Sequence, residues 1–102
     1  MRMYEVRISR SALQDMDSLR DFLDAMLSEE NAIRYANNMR AEIKMLSLFA
    51  NLYRKTKSKT LLTIHPEARR MVSHNRRWIY VFHIEGDYAV VDRILPAKMN
   101  KG

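Results

Sequence analysis

The sequence contains no cysteine and only two glycines, at positions 86 and 102. Without cysteine the chain can form neither a disulfide framework nor a thiolate zinc site, and this composition fits a reducing cytoplasm. Two isolated glycines cannot build the glycine-rich loop with which many nucleotide-binding proteins hold phosphate groups. The carboxylates are scattered along the chain without metal-ligand spacing. We therefore expect no metal and no other cofactor.

Long apolar runs are also missing. No window approaches the roughly 18 consecutive apolar residues of a membrane-spanning helix. Residues 1–8 lack the apolar core of a signal peptide. These features predict a cytoplasmic protein with no membrane segment. A chain of 102 residues is sized for one domain with one core, which we expect to span residues 1–102.

Positive charge is abundant but concentrated in one segment. The chain carries 18 lysines and arginines against 12 acidic residues, a net charge of +6. Residues 54–77 hold eight of the basic residues and a single acid, Glu67. A localised excess of this kind predicts a surface that faces an anionic partner, either nucleic acid or an acidic protein segment. The alternative is a charged face that serves solubility alone.

The strongest strand pattern lies in residues 78–95. Its aromatic and β-branched residues favour a pleated, half-buried surface. Glu85-Gly86-Asp87 predicts a turn, because glycine adopts positive φ without steric cost. The period of two predicts one face with Trp78, Tyr80, Phe82 and Ile84, and another with Ile79, Val81 and His83.

Two further strands and two helices are predicted before this hairpin. Residues 3–8 and 68–73 have strand patterns. Ser9 or Ser11 is placed to cap the first helix, and Ser11 with Gln14 matches a capping box. Ser28 is placed to cap the second helix. Its apolar residues then recur at intervals of three and four, as a seam of Ala32, Ala36, Met39, Ile43, Leu46, Ala50 and Tyr53.

These elements predict an α+β fold with the order β-α-α-β-β-β. We expect a helical hairpin packed on one face of a small, mainly antiparallel sheet. A coiled-coil dimer face is the alternative use of the seam. Residues 54–60 have no apolar period and predict an exposed basic loop. Residues 61–64 fit either a helix end or a docking segment.

The order and spacing of these motifs resemble the RelE/ParE toxin superfamily. The residues that carry the resemblance are Ser9-Arg10-Ser11-Ala12, the helices over 12–53, Arg69 and Arg70, Trp78 with Phe82-His83-Ile84-Glu85-Gly86-Asp87, and Arg93-Ile94-Leu95. The resemblance implies the toxin of a bacterial type II toxin–antitoxin, or plasmid stabilisation, system. It also implies a hetero-oligomer in which a cognate antitoxin wraps part of itself over the toxin.

The superfamily has two mechanistic branches. RelE-like members cut mRNA in the ribosome, whereas ParE-like members inhibit DNA gyrase by binding and cleave nothing. Many members carry a histidine after the last strand, where this chain has Pro96-Ala97-Lys98, and neither histidine nor tyrosine follows Tyr88. The resemblance therefore implies a ParE-like gyrase inhibitor that is not an enzyme. A degenerate, non-toxic module that binds an antitoxin is a further reading.

The alternative function is a ribosome-dependent mRNA endoribonuclease. Such cleavage needs a proton-transfer group active near neutral pH and cations that stabilise the charge on phosphorus. His83 is the candidate for proton transfer, with Arg69 and Arg93 on the phosphate. A lone strand histidine is more often structural, so no catalytic residue is assigned.

For the binding mechanism, the expected contact surface comprises residues 54–77 and the tail 96–101. Its candidate residues for contact with a partner or nucleic acid are Lys55, Lys57, Lys59, Arg69, Arg70, Arg76, Arg77 and Lys98. Trp78 and Tyr80 have the ring chemistry to stack on bases. We expect both instead in the core of the central strand.

Overall fold

The computed structural model describes residues 3–99 and confirms the predicted α+β order, with one added helix. Its elements are β1 (Glu5–Ile8), α1 (Arg10–Met26), α2 (Glu29–Phe49), α3 (Lys59–Leu62), β2 (Arg69–Val72), β3 (Trp78–Glu85) and β4 (Tyr88–Pro96). Short 3-10 turns follow α2 at Ala50–Leu52 and β4 at Ala97–Met99. None of the helices within residues 3–99 is long and apolar enough to cross a membrane.

The four strands form one mixed sheet in the order β1-β4-β3-β2. β1 runs parallel to β4, and the other two pairs are antiparallel. Glu85 pairs with Tyr88, so the β3–β4 turn consists of two residues, the first of which is Gly86 with a φ of 58°. Further along, Val81 and Phe82 are opposite Arg93 and Val91. Asp92 is therefore an extra residue in β4, a β-bulge.

Ser9, rather than Ser11, caps the first helix. Its Oγ accepts a hydrogen bond from the Ala12 N–H at 3.0 Å and donates one to the Asp92 carbonyl at 2.8 Å. The predicted capping box of Ser11 and Gln14 is wrong, because the end of β1 fixes Ser9 at the cap position and Ser11 lies inside α1. Ser28 caps α2 as predicted, accepting from the Asn31 N–H at 3.3 Å.

The predicted seam of α2 packs on the sheet and forms the main core. Met39, Ile43 and Leu46 are buried against Trp78, Tyr80 and Phe82, whose side chains share one face of β3. The seam is therefore used inside the domain and not as a coiled-coil face. On α1, Ala12 and Leu23 are buried, while Leu13 is 49% exposed.

The second face of β3 is covered as well. Ile79 and Val81 pack against Leu61 of α3 and against Ala68 in a separate apolar cluster. The basic side chains of residues 54–60 are exposed, as predicted, while the main chain of this segment lies beside the start of β2, where the Thr56 N–H donates to the Ala68 carbonyl at 2.8 Å. The second face of β3 is covered because this strand is apolar on both faces, and leaving one face to solvent would expose a continuous apolar surface.

Candidate partner-binding site

A groove lies between α1 and the C-terminal half of β4. β1 ends at Ile8, opposite Val91, so among residues 3–99 no strand lies beside the rest of β4 on that edge. The groove there has a volume of about 520 Å³. Its apolar lining consists mainly of Leu19, Phe22, Leu23, Trp78, Ile94 and Pro96. Phe22 is 58% exposed, so the groove presents an open apolar rim.

Asp15 of α1 occupies the bare edge of β4. Its Oδ2 accepts from the Arg93 Nε at 2.7 Å and from the Ile94 N–H at 2.9 Å, and its Oδ1 accepts from the Arg93 Nη2 at 3.0 Å. The hydrogen bond to Asp15 raises the pKa of the Arg93 guanidinium. Pro96 has no N–H to offer on this strand. The carboxylate thus takes the place of a strand partner, and the groove is suited to inserted side chains rather than to an added strand.

Because Asp15 and Arg93 neutralise each other, the charge that remains at the groove is positive. Arg77 lines it with an exposed side chain that forms no ion pair within residues 3–99. The carbonyl of Arg77 accepts from the Ala97 N–H at 3.0 Å, which places the 3-10 turn with exposed Lys98 next to it. An acidic segment with a large apolar side chain is the complementary ligand.

Two of the predicted binding residues are engaged inside the chain. Lys55 forms an ion pair with Glu67, and its hydrogen bond lowers the pKa of the Glu67 carboxyl. The Arg69 Nη1 donates to the Tyr53 carbonyl at 2.6 Å, while its buried Nε has no hydrogen-bond partner among the described residues. Arg69 therefore supports the turn after α2.

The other predicted cations are free of such partners. Within the part of the chain that the structure describes, no ion pair involves Lys57, Lys59, Arg70, Arg76, Arg77 or Lys98. All of them are exposed except Arg70, which is half-buried. Residues 100 and 101 of the expected tail surface lie outside the described residues. Of the predicted binding residues, the exposed basic surface thus comprises Lys57, Lys59, Arg76, Arg77 and Lys98.

The three candidate nuclease residues have separate partners. His83 is 7% exposed, and its Nδ1 lies 2.6 Å from Asp92 Oδ2. Arg93 is bound to Asp15, and Arg69 to the main chain at Tyr53. No hydrogen bond joins His83 to either arginine within residues 3–99. Asp92 was not singled out in the sequence, since only the bulge brings it beside His83.

Trp78 and Tyr80 lie in the core, as expected, and form a hydrogen-bonded chain with Glu42 of α2. The Trp78 Nε1 donates to the Tyr80 hydroxyl at 2.9 Å, which donates to Glu42 Oε1 at 3.1 Å. The second oxygen of Glu42 accepts from the His74 N–H at 2.7 Å. Both rings are at most 4% exposed and so do not meet a nucleic-acid base. Burial raises the pKa of the Tyr80 phenol.

The shift at Tyr80 predicts an alkaline loss of stability. Unfolded tyrosine ionises near pH 10, whereas folded Tyr80 keeps its proton to higher pH. The free energy of unfolding therefore keeps the full contribution of Tyr80 below about pH 10. Above that pH it falls by up to about 1.4 kcal/mol per pH unit. We expect urea unfolding between pH 9 and 11.5 to show this slope, and Tyr80→Phe to reduce it. Equal slopes for wild type and Tyr80→Phe would contradict the assignment.

Comparisons with known proteins are in accord with this architecture. The family model described as the ParE toxin of the type II toxin–antitoxin system parDE matches residues 6–101. A comparison with curated proteins gives no match. The chain is similar in structure to one from the chromosomal ParDE TA system from P. aeruginosa, with a TM-score of 0.78, 20% identity and coverage of 92% of this chain and 96% of that one. At that identity the likeness shows a shared fold. Because the family match spans nearly the whole sequence, this chain belongs to the family of ParE toxins of type II toxin–antitoxin systems.

Proposed function

We propose that this chain is a toxin that inhibits DNA gyrase by binding, and that its antitoxin holds it inactive by seating a segment in the α1–β4 groove. Membership of the ParE family supports the toxin role. The observation that carries the antitoxin contact is the open apolar groove with unpaired Arg77 in its lining. Because α1 supplies one wall and β4 the other, the groove is already formed in the chain alone.

The chemistry of the groove specifies the antitoxin segment. A large apolar side chain of the antitoxin fills the space beside Phe22 and Leu23, because buried anchors of this kind supply most of the binding energy at interfaces. Antitoxin carboxylates on either side of that apolar side chain lie opposite Arg77 and Lys98. Since Asp15 and Pro96 blunt the β4 edge, the segment binds through side chains presented by a helix or a turn.

The separation of the candidate nuclease residues favours binding over cleavage. His83 is buried beside Asp92, away from the groove lining, and the two arginines are engaged elsewhere. RNA cleavage needs a proton-transfer group and cations converging on one phosphate. The exposed basic surface remains available for the target, and charged side chains on gyrase that complement it would speed the association.

The proposal is tested by a gyrase assay with the purified chain. We expect concentration-dependent inhibition of supercoiling, restored activity on addition of the antitoxin of the same module, and intact transcripts in cells that express the toxin. The double variant Lys57→Glu, Lys59→Glu is expected to weaken inhibition about tenfold or more, since it reverses two charges of the basic surface. The matched control, Arg40→Glu with Lys44→Glu on the exposed side of α2, should inhibit like wild type.

Three outcomes would contradict the proposal. Supercoiling that is unchanged at saturating toxin would exclude gyrase as the target. Transcripts cut at codon boundaries, with cutting abolished in His83→Ala, would establish the mRNA endoribonuclease instead. Normal growth of cells expressing the chain without antitoxin would leave a non-toxic, antitoxin-binding module.

A further inference from the structure

Among residues 3–99, β1 is the sheet edge that no other main chain covers. The bare half of β4 is capped by Asp15, as described above. At the opposite edge of the sheet, the main chain of Lys55 bridges to Arg69 of β2, and the Thr56 N–H donates to the Ala68 carbonyl. β1 is the other end of the strand order, and no strand lies on its outer side within residues 3–99. An edge left open in this way can pair with a further strand.

The main chain of Val6 and Ile8 faces this open side. The N–H groups of Glu5 and Ser9 donate to carbonyls on the β4 side at 2.8 and 2.9 Å. In a parallel pair of strands every second residue bonds to the neighbour, so the N–H and C=O groups of Val6 and Ile8 point away from β4. The side chains of Val6 and Ile8 are half-buried against the main core. These two residues therefore offer main-chain donors and acceptors from a firmly packed strand.

The two exposed side chains of β1 carry opposite charges. Glu5 and Arg7 lie on either side of Val6 and point to the other face of the sheet. Neither forms an ion pair within residues 3–99. The Arg7 guanidinium lies over the Tyr88 ring, 3.8 Å from its centroid, which holds the positive charge on the surface of the sheet. A strand with this charge pattern is complementary to a reversed copy of itself.

The main chain allows two antiparallel registers in which three residues of each β1 pair with those of a second copy. The register centred on Arg7 places two arginines directly opposite each other. The register centred on Val6 places each Glu5 opposite Arg7 of the second copy, and the two Val6 residues exchange N–H to C=O hydrogen bonds. Opposite charges across a strand pair are favourable, whereas like charges directly opposite are unfavourable. The charges therefore select the register centred on Val6.

We propose that the chain without antitoxin forms a two-fold dimer through β1, which joins the sheets of two copies edge to edge. The contact is the same patch on both copies, so the assembly closes at two and does not extend into a fibre. Because β1 is short, the dimer is a weak one with micromolar affinity. Lys57 and Lys59 follow the segment that covers β2 and so lie at the opposite edge, outside the contact. The dimer does not depend on gyrase being the target.

Sedimentation velocity of the purified full chain over a range of concentrations tests this proposal. We expect a reversible monomer–dimer equilibrium. Glu5→Lys and Arg7→Glu should each weaken the dimer about tenfold or more, since each change places like charges opposite each other twice in one dimer. The double variant Glu5→Lys, Arg7→Glu reverses the pattern without losing its complementarity and should return to within about threefold of wild type. The matched control Glu29→Lys changes an exposed glutamate of α2 and should dimerise like wild type.

Amide hydrogen exchange locates the contact in the same samples. The Val6 N–H should gain protection as the concentration rises, whereas the Arg7 N–H, which faces β4, should be protected at every concentration. A chain that stays monomeric up to about 1 mM would overturn the proposal. A dimer in which Val6 stays unprotected, or a double variant as weak as the single ones, would also overturn it. Protection of Val6 only when antitoxin is added would assign this edge to the antitoxin instead.

Discussion

Phe22→Asp is expected to weaken antitoxin binding by about 30-fold or more. The ring lies on the rim of the α1–β4 groove and is 58% exposed, so its replacement removes an apolar contact without opening the core. Losing a large apolar side chain that becomes buried in an interface costs about 2 kcal/mol or more, which corresponds to this factor. The new carboxylate also repels the acidic segment that the groove is proposed to bind. Titration calorimetry with the antitoxin of the same module measures the change.

Leu13→Asp is the control for this experiment. Leu13 is an exposed leucine on the same helix, 49% accessible, and does not line the groove. We expect its affinity to stay within about twofold of wild type, since surface changes outside an interface have small effects. Equal weakening by both variants would show that added negative charge, and not the groove, accounts for the loss. Unchanged affinity in Phe22→Asp would move the antitoxin contact elsewhere.

Asp15→Ala is expected to lower the free energy of unfolding by about 2 to 3 kcal/mol. The change leaves the Ile94 N–H and the Arg93 guanidinium without the carboxylate that accepts from both. Hydrogen bonds to charged groups contribute about 1.5 to 3 kcal/mol each, and the 40% exposure of the Arg93 side chain reduces its share. Urea unfolding followed by the fluorescence of Trp78, the sole tryptophan, gives the value.

Two further aspartate variants define the origin of that cost. Asp17→Ala alters an exposed carboxylate two residues along α1 and should change stability by no more than about 0.5 kcal/mol. Asp15→Asn retains one oxygen for the Ile94 N–H but loses the charge that pairs with Arg93. We expect the free energy of unfolding of Asp15→Asn to lie between those of wild type and Asp15→Ala. If Asp17→Ala and Asp15→Ala cost the same, the role assigned to Asp15 is wrong.

The main core could be predicted because it follows from local periodicity. The seam of α2 and the alternation of β3 each have one strong period, and each is buried as that period requires. The helix caps were predicted less accurately. Ser9 and Ser11 have the same local chemistry, and only the contact of Ser9 with β4, far along the chain, decides between them.

The site depends on contacts that local patterns do not encode. Local sequence patterns do not single out Asp15, although it lies three residues after Ala12, which is buried. That spacing places Asp15 near the buried side of α1, and it is the feature of the sequence from which a partner inside the fold could have been predicted. Its partners, Arg93 and Ile94, are 78 and 79 residues away in the chain. The rings of His65 and His83 stack with centroids 3.6 Å apart. This contact likewise depends on tertiary packing, because Leu61 of α3 packs against the strand that carries His83.

The extra residue at Asp92 limits how β4 can change in length. Ala89 and Val91 face the helices, and the next core residue on that side is Ile94, three positions on rather than two. Leu95 and Ala97 fall on the opposite side. Deleting Asp92 itself would remove the bulge and leave Ile94 opposite Tyr80 on the helix side, whereas deleting Arg93 with the bulge retained would turn Leu95 toward the helices. We therefore expect insertions and deletions among related β4 strands to occur in even numbers, unless a bulge is gained or lost with them.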